Sequence, residues 1–336
     1  MQLKLWPSLI DNRRKITQRS GNDPDSDCNA HPEPGFGHVT EVPKLVPDEK
    51  LRCAEPMLDP GGGGLNVSRA AMALGGESLA LVALGGLTGD RLAGLIRNEG
   101  VPFLALTAPG ETRQSLTVTE KTKGHQYRFM LPGPIWSEVD QDRVFILLRA
   151  SARPGAFGVI SGSQPPGVPL DFPARLARAM PGLNVILDTS GRALVEAVSH
   201  PIPGLEVLRM DGYEAEQLAG RSLTTRQDSA SFAGELVMRG VARTVSVARG
   251  ADGSVLANAD EQLFCAAAKV KVVSTVGAGD SFVAGYTLSR ARGLDASQAL
   301  AIATAAASSA VMTPATDLCR EHDVARLLPQ CEVTRF

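Results

Sequence analysis

From about residue 64 onward, short apolar runs alternate with segments in which apolar residues recur every three or four positions. The first pattern predicts buried strands and the second amphipathic helices, and their alternation is typical of an α/β domain on a mainly parallel sheet. Right-handed crossovers then place helices on both faces of the sheet. The predicted strands are Leu79–Leu84, Gly158–Ser161, Asn184–Leu187, Gly204–Leu208 and Arg243–Val247. The predicted helices are Leu65–Leu74, Asp90–Asn98, Leu170–Met180, Ser229–Arg239 and Asp280–Ala291.

Two segments depart from this alternation. Between Thr112 and Leu131, two alternating runs flank a Lys-Thr-Lys-Gly turn at residues 121–124, which predicts a β-hairpin. With residues 50–58 this hairpin is expected to form a small separate sheet. Residues 21–37 are rich in Gly, Pro, Asp and Asn and lack periodicity, so we expect a loop or disorder there. We therefore expect an atypical N-terminal segment over residues 1–47 and the main domain over residues 48–330.

Composition and charge exclude two classes of partner. The 336 residues are 43% apolar with a formal net charge of −2, as in an ordinary globular protein. A chain with this charge balance lacks the basic surface that nucleic acids require, so we expect no nucleic-acid partner. The most apolar stretch, Ala299 to Met312, is shorter than the roughly 20 residues of a membrane span. We expect it to be a buried helix and expect no membrane partner.

The cysteines indicate the compartment. They are five in number and never spaced as C-x-x-C, at positions Cys28, Cys53, Cys265, Cys319 and Cys331. This pattern signals neither a disulfide framework nor a zinc site. A reducing compartment fits best, and we expect the protein in the cytoplasm.

The strongest chemical signal is the sequence STVGAGDSF at residues 274–282, a glycine-rich turn that leads into an apolar-periodic helix. Unpaired backbone N–H groups of Gly277, Ala278 and Gly279 at a helix N-terminus favour a bound anion, such as a phosphoryl group in transfer. Asp280 is placed to accept a proton from an attacking hydroxyl. The alternative is that Asp280 only caps the helix, since aspartate is a favoured N-cap residue.

A second glycine run, GGGGLNVSRA, occupies residues 61–70. Glycines permit a ligand to approach the backbone closely, and Asn66 offers an amide that can bind hydroxyl groups. The run therefore favours a polyol site. A flexible hinge is the alternative interpretation.

These two sequences resemble the signature regions of the ribokinase-like (PfkB-type) carbohydrate kinases, over about residues 47–328. Several further segments resemble the bacterial type II (minor) 6-phosphofructokinases: KLRC at 50–53, TRQSL at 112–116, HQYRFMLPG at 125–133, SGSQPPG at 161–167 and LDTSGRAL at 187–194. The resemblance implies an α/β ribokinase-like three-layer fold, with a mainly parallel central sheet and a small β-sheet lid.

On the sugar side, the resemblance implies a phosphate clamp made from Lys50, Arg113 and Ser163. The positive charges of Lys50 and Arg113 suit a phosphate dianion, and the planar guanidinium of arginine can donate two parallel hydrogen bonds to it. The resemblance also places Gly62, Gly63, Asn66 and Asp11 at the sugar hydroxyls. It implies in addition a homodimer with paired lids, in which Arg52 reaches the partner's site.

On the nucleotide side, the family has K-P-N-x-x-E where this chain has RMDGYE at residues 209–214. The resemblance implies that Arg209, Asp211 and Glu214 organise the phosphates of ATP and their Mg²⁺, with Asp211 and Glu214 acting on the metal through water. It also assigns Gly250 and Gly253 of the turn ARGADG, together with Thr275, to the nucleotide. Arginine and aspartate replace the lysine and asparagine of the family here, and the hydroxyl of the later turn is lost. These changes leave the strength of ATP binding open.

The resemblance implies ATP-dependent phosphorylation of a ketose phosphate, in the first place fructose 6-phosphate to fructose 1,6-bisphosphate. Tagatose 6-phosphate and fructose 1-phosphate stay open as acceptors. A degenerate regulatory protein that only binds sugar phosphate is a further alternative, which the nucleotide-side changes favour and the intact Asp280 turn opposes.

The N-terminus departs most from the family pattern, in which a buried strand runs into N-P-A-x-D. The nearest counterpart is LWPSLID at residues 5–11, with one extra residue, and 38 residues separate Asp11 from Lys50. A one-residue insertion turns a strand's side chains to the other face. We therefore expect a weakly held first strand at residues 1–6, a mobile segment at residues 21–37, and weakened sugar binding.

Overall fold

The computed structural model describes the backbone of residues 26–31 and all atoms of residues 34–314 and 317–336. The described strands form one sheet of ten strands and one of four. The strands are β1 (Ser26–His31), β2 (Gly35–Val42), β3 (Met57–Gly61), β4 (Glu77–Leu84), β5 (Phe103–Thr107), β6 (Gln114–Glu120), β7 (His125–Met130), β8 (Phe157–Ser161), β9 (Asn184–Asp188), β10 (Val207–Asp211), β11 (Thr244–Ala248), β12 (Gly253–Ala257), β13 (Gln262–Ala266) and β14 (Val333–Arg335). The α-helices are α1 (Gly63–Ala73), α2 (Gly86–Asn98), α3 (Glu138–Ser151), α4 (Phe172–Arg178), α5 (Gly191–Ser199), α6 (Gly212–Ala219), α7 (Arg226–Met238), α8 (Ala278–Ala291), α9 (Ala296–Ala310) and α10 (Glu321–Leu327).

The large sheet is mainly parallel, with the strand order β14-β13-β12-β11-β10-β9-β8-β1-β4-β5. The strands from β11 to β5 in that order run parallel, and β12, β13 and β14 are antiparallel additions at one edge. Strand β8 is buried along its whole length, as expected for a parallel strand covered by helices on both faces. The predicted α/β class with a mainly parallel sheet is confirmed.

Helices α8 and α9 pack closely because small residues line their contact. A Cβ atom on Gly285 would lie 3.1 Å from Ala303 Cα and 3.2 Å from Ala306 Cβ. Helix α1 also packs against α8. The two glycine-rich motifs precede these two helices, so the packing brings their N-termini to one place.

The small sheet has the order β3-β2-β6-β7 and forms the lid. Its β6–β7 hairpin confirms the hairpin predicted within residues 112–131. The lid strand expected at residues 50–58 is instead Met57–Gly61, and residues 50–56 are irregular. Strand β2 pairs with β3 on one side and with β6 on the other.

The prediction of a loop over residues 21–37 is wrong where the structure describes it. Residues 26–31 form β1, which is paired between β4 and β8, and residues 35–37 begin β2. The strand SDCNAH is polar, so its neighbours on both edges, rather than its own periodicity, decide its conformation. The sheets therefore include residues before position 48, the expected start of the main domain. The expected strand at residues 1–6 lies outside the described residues.

The other predicted elements are close to those observed, with one clear shift. The strand predicted at Gly204–Leu208 is Val207–Asp211, because Gly204 adopts a left-handed φ of 76° in the preceding turn. The apolar stretch near residues 299–312 lies in the buried helix α9. Within residues 34–314 and 317–336, no helix combines the length and apolarity needed to cross a membrane.

Candidate active site

The glycine-rich turn at residues 274–282 forms the N-terminus of α8. Gly277 is the N-cap residue and has a left-handed φ of 75°. A Cβ atom there would also lie 2.5 Å from Leu318 Cδ2, so this position requires glycine on two grounds. No side chain caps the helix, so the first N–H groups stay available to an anion.

Asp280 is not the helix cap. It lies in the first turn of α8, three residues after the N-cap Gly277, and its carboxylate accepts a hydrogen bond from Asn66 Nδ2 at 2.9 Å. The capping alternative for Asp280 is therefore wrong. The packing of α1 on α8 joins the two predicted motifs through this contact.

The surroundings of Asp280 suit a general base. Burial raises the pKa of its carboxyl to about 6, and the nearby Asp188 carboxylate acts in the same direction. Asn66, Arg209 and Arg69 oppose this rise because they stabilise the charged form. A carboxyl with this pKa is mostly ionised at pH 7 and accepts a proton better than an ordinary aspartate.

The glycine run at residues 61–64 is tightly packed. A Cβ atom on Gly63 would lie 2.5 Å from Ser161 Oγ and 2.9 Å from the backbone N of Gly162. Gly62 is the N-cap of α1 and has a φ of 119°. This contact holds the start of α1 against the end of β8 and does not fit the hinge alternative.

Arg69 orients Asn66, and sequence reasoning missed it. Its Nη1 donates to Asn66 Oδ1 at 3.1 Å and to the carbonyl of Pro60 at 2.9 Å. Glu99 and Asp59 hold the guanidinium from the other side. Because the Asn66 oxygen faces Arg69, its amide N–H points to Asp280. The only sequence signal was an arginine three residues after Asn66, one helical turn away.

The structure brings two members of the predicted phosphate clamp together. Arg113 Nη1 donates to Ser163 Oγ at 3.1 Å, which joins the lid to the loop after β8. Lys50 and Arg52 are exposed on the irregular segment between β2 and β3. Asp11 lies outside the described residues.

Arg209 places a buried cation against the turn of α8. It forms an ion pair with Asp188 at 3.1 Å, and a Cβ atom on Gly279 would lie 2.9 Å from its Nη1. Burial lowers the pKa of the guanidinium, but Asp188, Glu214 and Asp280 raise it more, so the net direction is upward. Sequence reasoning missed Asp188, which approaches Arg209 only because β9 and β10 are neighbours.

Asp211 and Glu214 form a reciprocal cap at the start of α6. Asp211 Oδ1 accepts from the Glu214 N–H, and Glu214 Oε2 accepts from the Asp211 N–H, both at 2.8 Å. Burial is the main cause that raises the pKa of Glu214, while the hydrogen bond from Asp211 lowers it. Among the described residues, no three His, Cys, Asp or Glu side chains converge on one metal position. The capping bonds use one oxygen of each carboxylate, Asp211 Oδ1 and Glu214 Oε2, so the second oxygen of each suits a metal-bound water.

A cavity of about 1240 Å³ opens beside the turn of α8. Most of the nucleotide-side residues predicted from the sequence line it, namely Arg209, Asp211, Gly250, Gly253 and Thr275, and Ala278 and Gly279 also line it. Apolar side chains of Leu223, Val270 and Val311 form another part of the wall. This combination of a polar end and an apolar end suits a nucleotide.

Arg249, in the glycine turn at residues 248–253, organises the wall of the cavity. Its Nη1 donates to the carbonyls of Leu223 at 3.1 Å and Thr225 at 3.0 Å, and its Nη2 to that of Thr224 at 3.0 Å. Its Nε donates to Asp252 at 3.1 Å. One guanidinium thus ties the segment before α7 to the glycine turn at residues 250–253.

Comparison with known proteins agrees with this geometry. The sequence profile of the pfkB family of carbohydrate kinases matches residues 36–323. The chain is 38% identical over 295 residues to the ATP-dependent 6-phosphofructokinase isozyme 2 of Mycobacterium tuberculosis, covering 87% of this chain and 86% of that protein. It is 36% identical over 296 residues to the protein of the same name from Escherichia coli, covering 88% and 95%.

Solved structures show the same relationship. A crystal structure of phosphofructokinase-2 from Escherichia coli with substrates and products matches with a TM-score of 0.85 and 34% identity, covering 91% of this chain and 99% of that one. A ribokinase from Thermotoga maritima, at 20% identity and a TM-score of 0.70, shares the fold. The chain therefore belongs to the pfkB family of carbohydrate kinases, and it is a phosphotransferase with an alcohol group as acceptor.

Proposed function

We propose that this enzyme transfers the γ-phosphoryl group of ATP to the 1-hydroxyl of fructose 6-phosphate. The observation that carries this proposal is the position of Asp280, which Asn66 holds in the first turn of α8, beside the free N–H groups of that helix, and which is partly exposed. The two relatives named ATP-dependent 6-phosphofructokinase isozyme 2 support the choice of sugar, as does a solved structure of the Escherichia coli protein in complex with fructose-6-phosphate.

Each group has a distinct role in the proposed reaction. Asp280 accepts the proton of the 1-hydroxyl as that oxygen attacks phosphorus. The N–H groups of Ala278 and Gly279 and the guanidinium of Arg209 stabilise the charge that develops on the transferring group. Arg209 acts through its charge and transfers no proton, because a guanidinium stays protonated.

At the other end of the acceptor, Arg113 and Ser163 bind the 6-phosphate, and Asn66, Gly62 and Gly63 bind the sugar hydroxyls. Arg113 supplies charge and a planar fork, so it fixes the position of the phosphate as well as its affinity. The clamp sets the distance from the phosphate to the reacting hydroxyl. It therefore selects for acceptors phosphorylated at the far end of the sugar.

ATP and Mg²⁺ are the cofactors that we propose. Arg209, Asp211, Gly250, Gly253 and Thr275 line the cavity described above and would hold the nucleotide there. Mg²⁺ keeps several waters and prefers phosphate oxygens with one or two carboxylates. Glu214 and Asp211 would hold it through those waters, and the ion would supply charge neutralisation on the phosphates.

A coupled assay of ADP release tests the proposal, with fructose 6-phosphate, tagatose 6-phosphate and fructose 1-phosphate as acceptors and with or without Mg²⁺. Phosphorus NMR identifies the product. We expect the highest kcat/KM with fructose 6-phosphate and turnover only with Mg²⁺. A higher kcat/KM with fructose 1-phosphate would reject our first choice, and the 31% identity to a 1-phosphofructokinase of Bacillus subtilis makes this comparison necessary. Binding of sugar phosphate without any turnover would instead favour the regulatory alternative.

We also propose a homodimer formed through the lid, with Arg52 reaching the partner's site. One face of the lid carries a row of exposed apolar side chains across paired strands, with Leu58 38%, Leu116 38% and Phe129 50% exposed. Such a row is costly in water unless it is covered. A solved form of phosphofructokinase-2 from Escherichia coli is described as tetrameric, which shows that a relative self-associates.

Light scattering after size-exclusion chromatography tests the lid interface. We expect a dimer for the wild type, a monomer for Leu116→Asp, and a dimer for the control Val195→Asp, since Val195 is exposed on α5. A dimer for both variants would reject the interface.

We propose the cytoplasm as the location, where ATP is available and thiols such as Cys265 and Cys331 stay reduced. Subcellular fractionation checks this.

A further inference from the structure

Arg128 reaches from the lid to the turn that precedes α8. It lies on β7, where it pairs with Thr117, and its Nη2 donates to Thr275 Oγ1 at 3.3 Å. The two residues are 147 positions apart in the chain. Side chains alternate along a strand, so Arg128 projects from the face opposite to that of Phe129. The lid therefore has an active-site face, to which Arg128 belongs, and an outer face with the apolar row.

The charge of Arg128 meets only neutral acceptors. Its other partner is Gln126 Oε1, at 3.4 Å from Nε and 3.2 Å from Nη2. Within residues 34–314 and 317–336, no carboxylate lies at ion-pair distance from it. Desolvation lowers the pKa of the guanidinium, which still remains charged. Arg128 is exposed at the surface, and its hydrogen bonds of 3.2 to 3.4 Å to neutral acceptors can be exchanged for stronger, charge-assisted bonds to a phosphate oxygen.

The position of Arg128 fits the phosphoryl donor rather than the sugar phosphate. Arg128 lines the same cavity as Arg209, Thr275 and Gly279. Arg113, which precedes β6 of the same hairpin, contacts Ser163 instead. Two cations on one hairpin thus approach two different sites.

We propose that Arg128 is a donor-binding residue that contacts the outer phosphates of the nucleoside triphosphate and so holds the lid over the donor. This inference rests on the proposed function and adds to it a second guanidinium, opposite Arg209. The β6–β7 hairpin then contacts both substrates, the acceptor through Arg113 and the donor through Arg128. Closure of one hairpin over both excludes water from the reacting groups.

Calorimetric titration tests the proposal with Mg²⁺ and the non-hydrolysable analogue AMP-PNP, and separately with AMP. For Arg128→Gln we expect Kd for AMP-PNP to rise about 10-fold, or about 1.4 kcal/mol, as for one lost charge-assisted hydrogen bond. Kd for AMP should change little because AMP lacks the outer phosphates. Arg128→Lys should recover part of the loss. The control Lys123→Gln removes a charge at the tip of the same hairpin and should leave both Kd values unchanged.

Equal losses for AMP and AMP-PNP would overturn the proposal, since they indicate a general effect on the lid. An unchanged Kd for AMP-PNP in Arg128→Gln, with a wild-type melting curve, would overturn it as well. In steady state we expect the variant to raise KM for ATP and to lower kcat, with KM for the sugar phosphate nearly unchanged. The calorimetric titration with AMP-PNP contains no sugar phosphate, so its result does not depend on the identity of the acceptor. If the wild type binds AMP-PNP but does not phosphorylate fructose 6-phosphate, the proposed function fails while Arg128 is still tested.

Discussion

Asp280→Asn should remove activity and, at neutral pH, make the protein more stable. The amide keeps the shape of the side chain and can still accept the hydrogen bond from Asn66. It cannot accept the proton of the acceptor hydroxyl, so kcat should fall by roughly 10² to 10⁴, the usual contribution of a general base. Nucleotide binding should change little.

The stability change follows from the raised pKa of Asp280. Its carboxyl has a pKa of about 6 in the folded protein, against an ordinary value of 3.8. Burial therefore disfavours the ionised form in the folded state. Below about pH 3 the group is protonated in both states and contributes no penalty, and at pH 4 the penalty is still only about 0.5 kcal/mol. As pH rises through about 6, the folded protein bears the ionised group and loses stability. The pKa difference between the folded and unfolded states corresponds to a loss of at most about 3 kcal/mol in the free energy of unfolding. Because the site is partly exposed, we expect a loss of about 1 to 3 kcal/mol.

Urea unfolding at pH 4 and pH 8 measures this difference, with Asp142→Asn as a control because Asp142 is exposed on α3. We expect Asp280→Asn to lie within about 0.5 kcal/mol of the wild type at pH 4 and to exceed it by about 1 to 3 kcal/mol at pH 8. In the wild type, kcat/KM should fall about tenfold per pH unit below about pH 6, as the base becomes protonated. If the variant keeps more than about a tenth of the activity, Asp280 is not the base. If it gains no stability at pH 8, the carboxylate is not destabilised and our reasoning on its pKa is refuted.

Three further substitutions test other parts of the site. Arg113→Ala should raise KM for the sugar phosphate by about 10-fold or more while KM for ATP changes little, and equal effects on both would contradict the clamp. Gly279→Ala places a methyl group 2.9 Å from Arg209 Nη1, which the Asp188 ion pair holds in place, so kcat should fall by roughly 10- to 100-fold. The control Gly94→Ala meets no atom within 4 Å and should keep full activity. Arg249→Gln should raise KM for ATP about 3- to 10-fold without changing KM for the sugar, because it loosens only the cavity wall; unchanged kinetics would show that the wall does not depend on it.

The sequence by itself determined the class of the fold and the chemistry of two helix N-termini. Periodicity predicted five of the parallel strands and the β6–β7 hairpin, since local patterns of apolar residues report which face is buried, but it missed β1 and β5. The STVGAGDSF turn predicted the uncapped start of α8, because a glycine with a left-handed φ and free N–H groups are local properties.

Only the tertiary structure decided the central position of β1 and the partners of the Asp280 carboxylate. The strand SDCNAH has only Cys28 and Ala30 as apolar residues, which is too weak a pattern to predict a strand, and its pairing with β4 and β8 sets its conformation. Asp188 approaches Arg209 across two parallel strands, and Arg128 reaches Thr275 from the lid. Contacts between residues far apart in the chain depend on how strands pair and helices pack. A local sequence pattern does not contain that information.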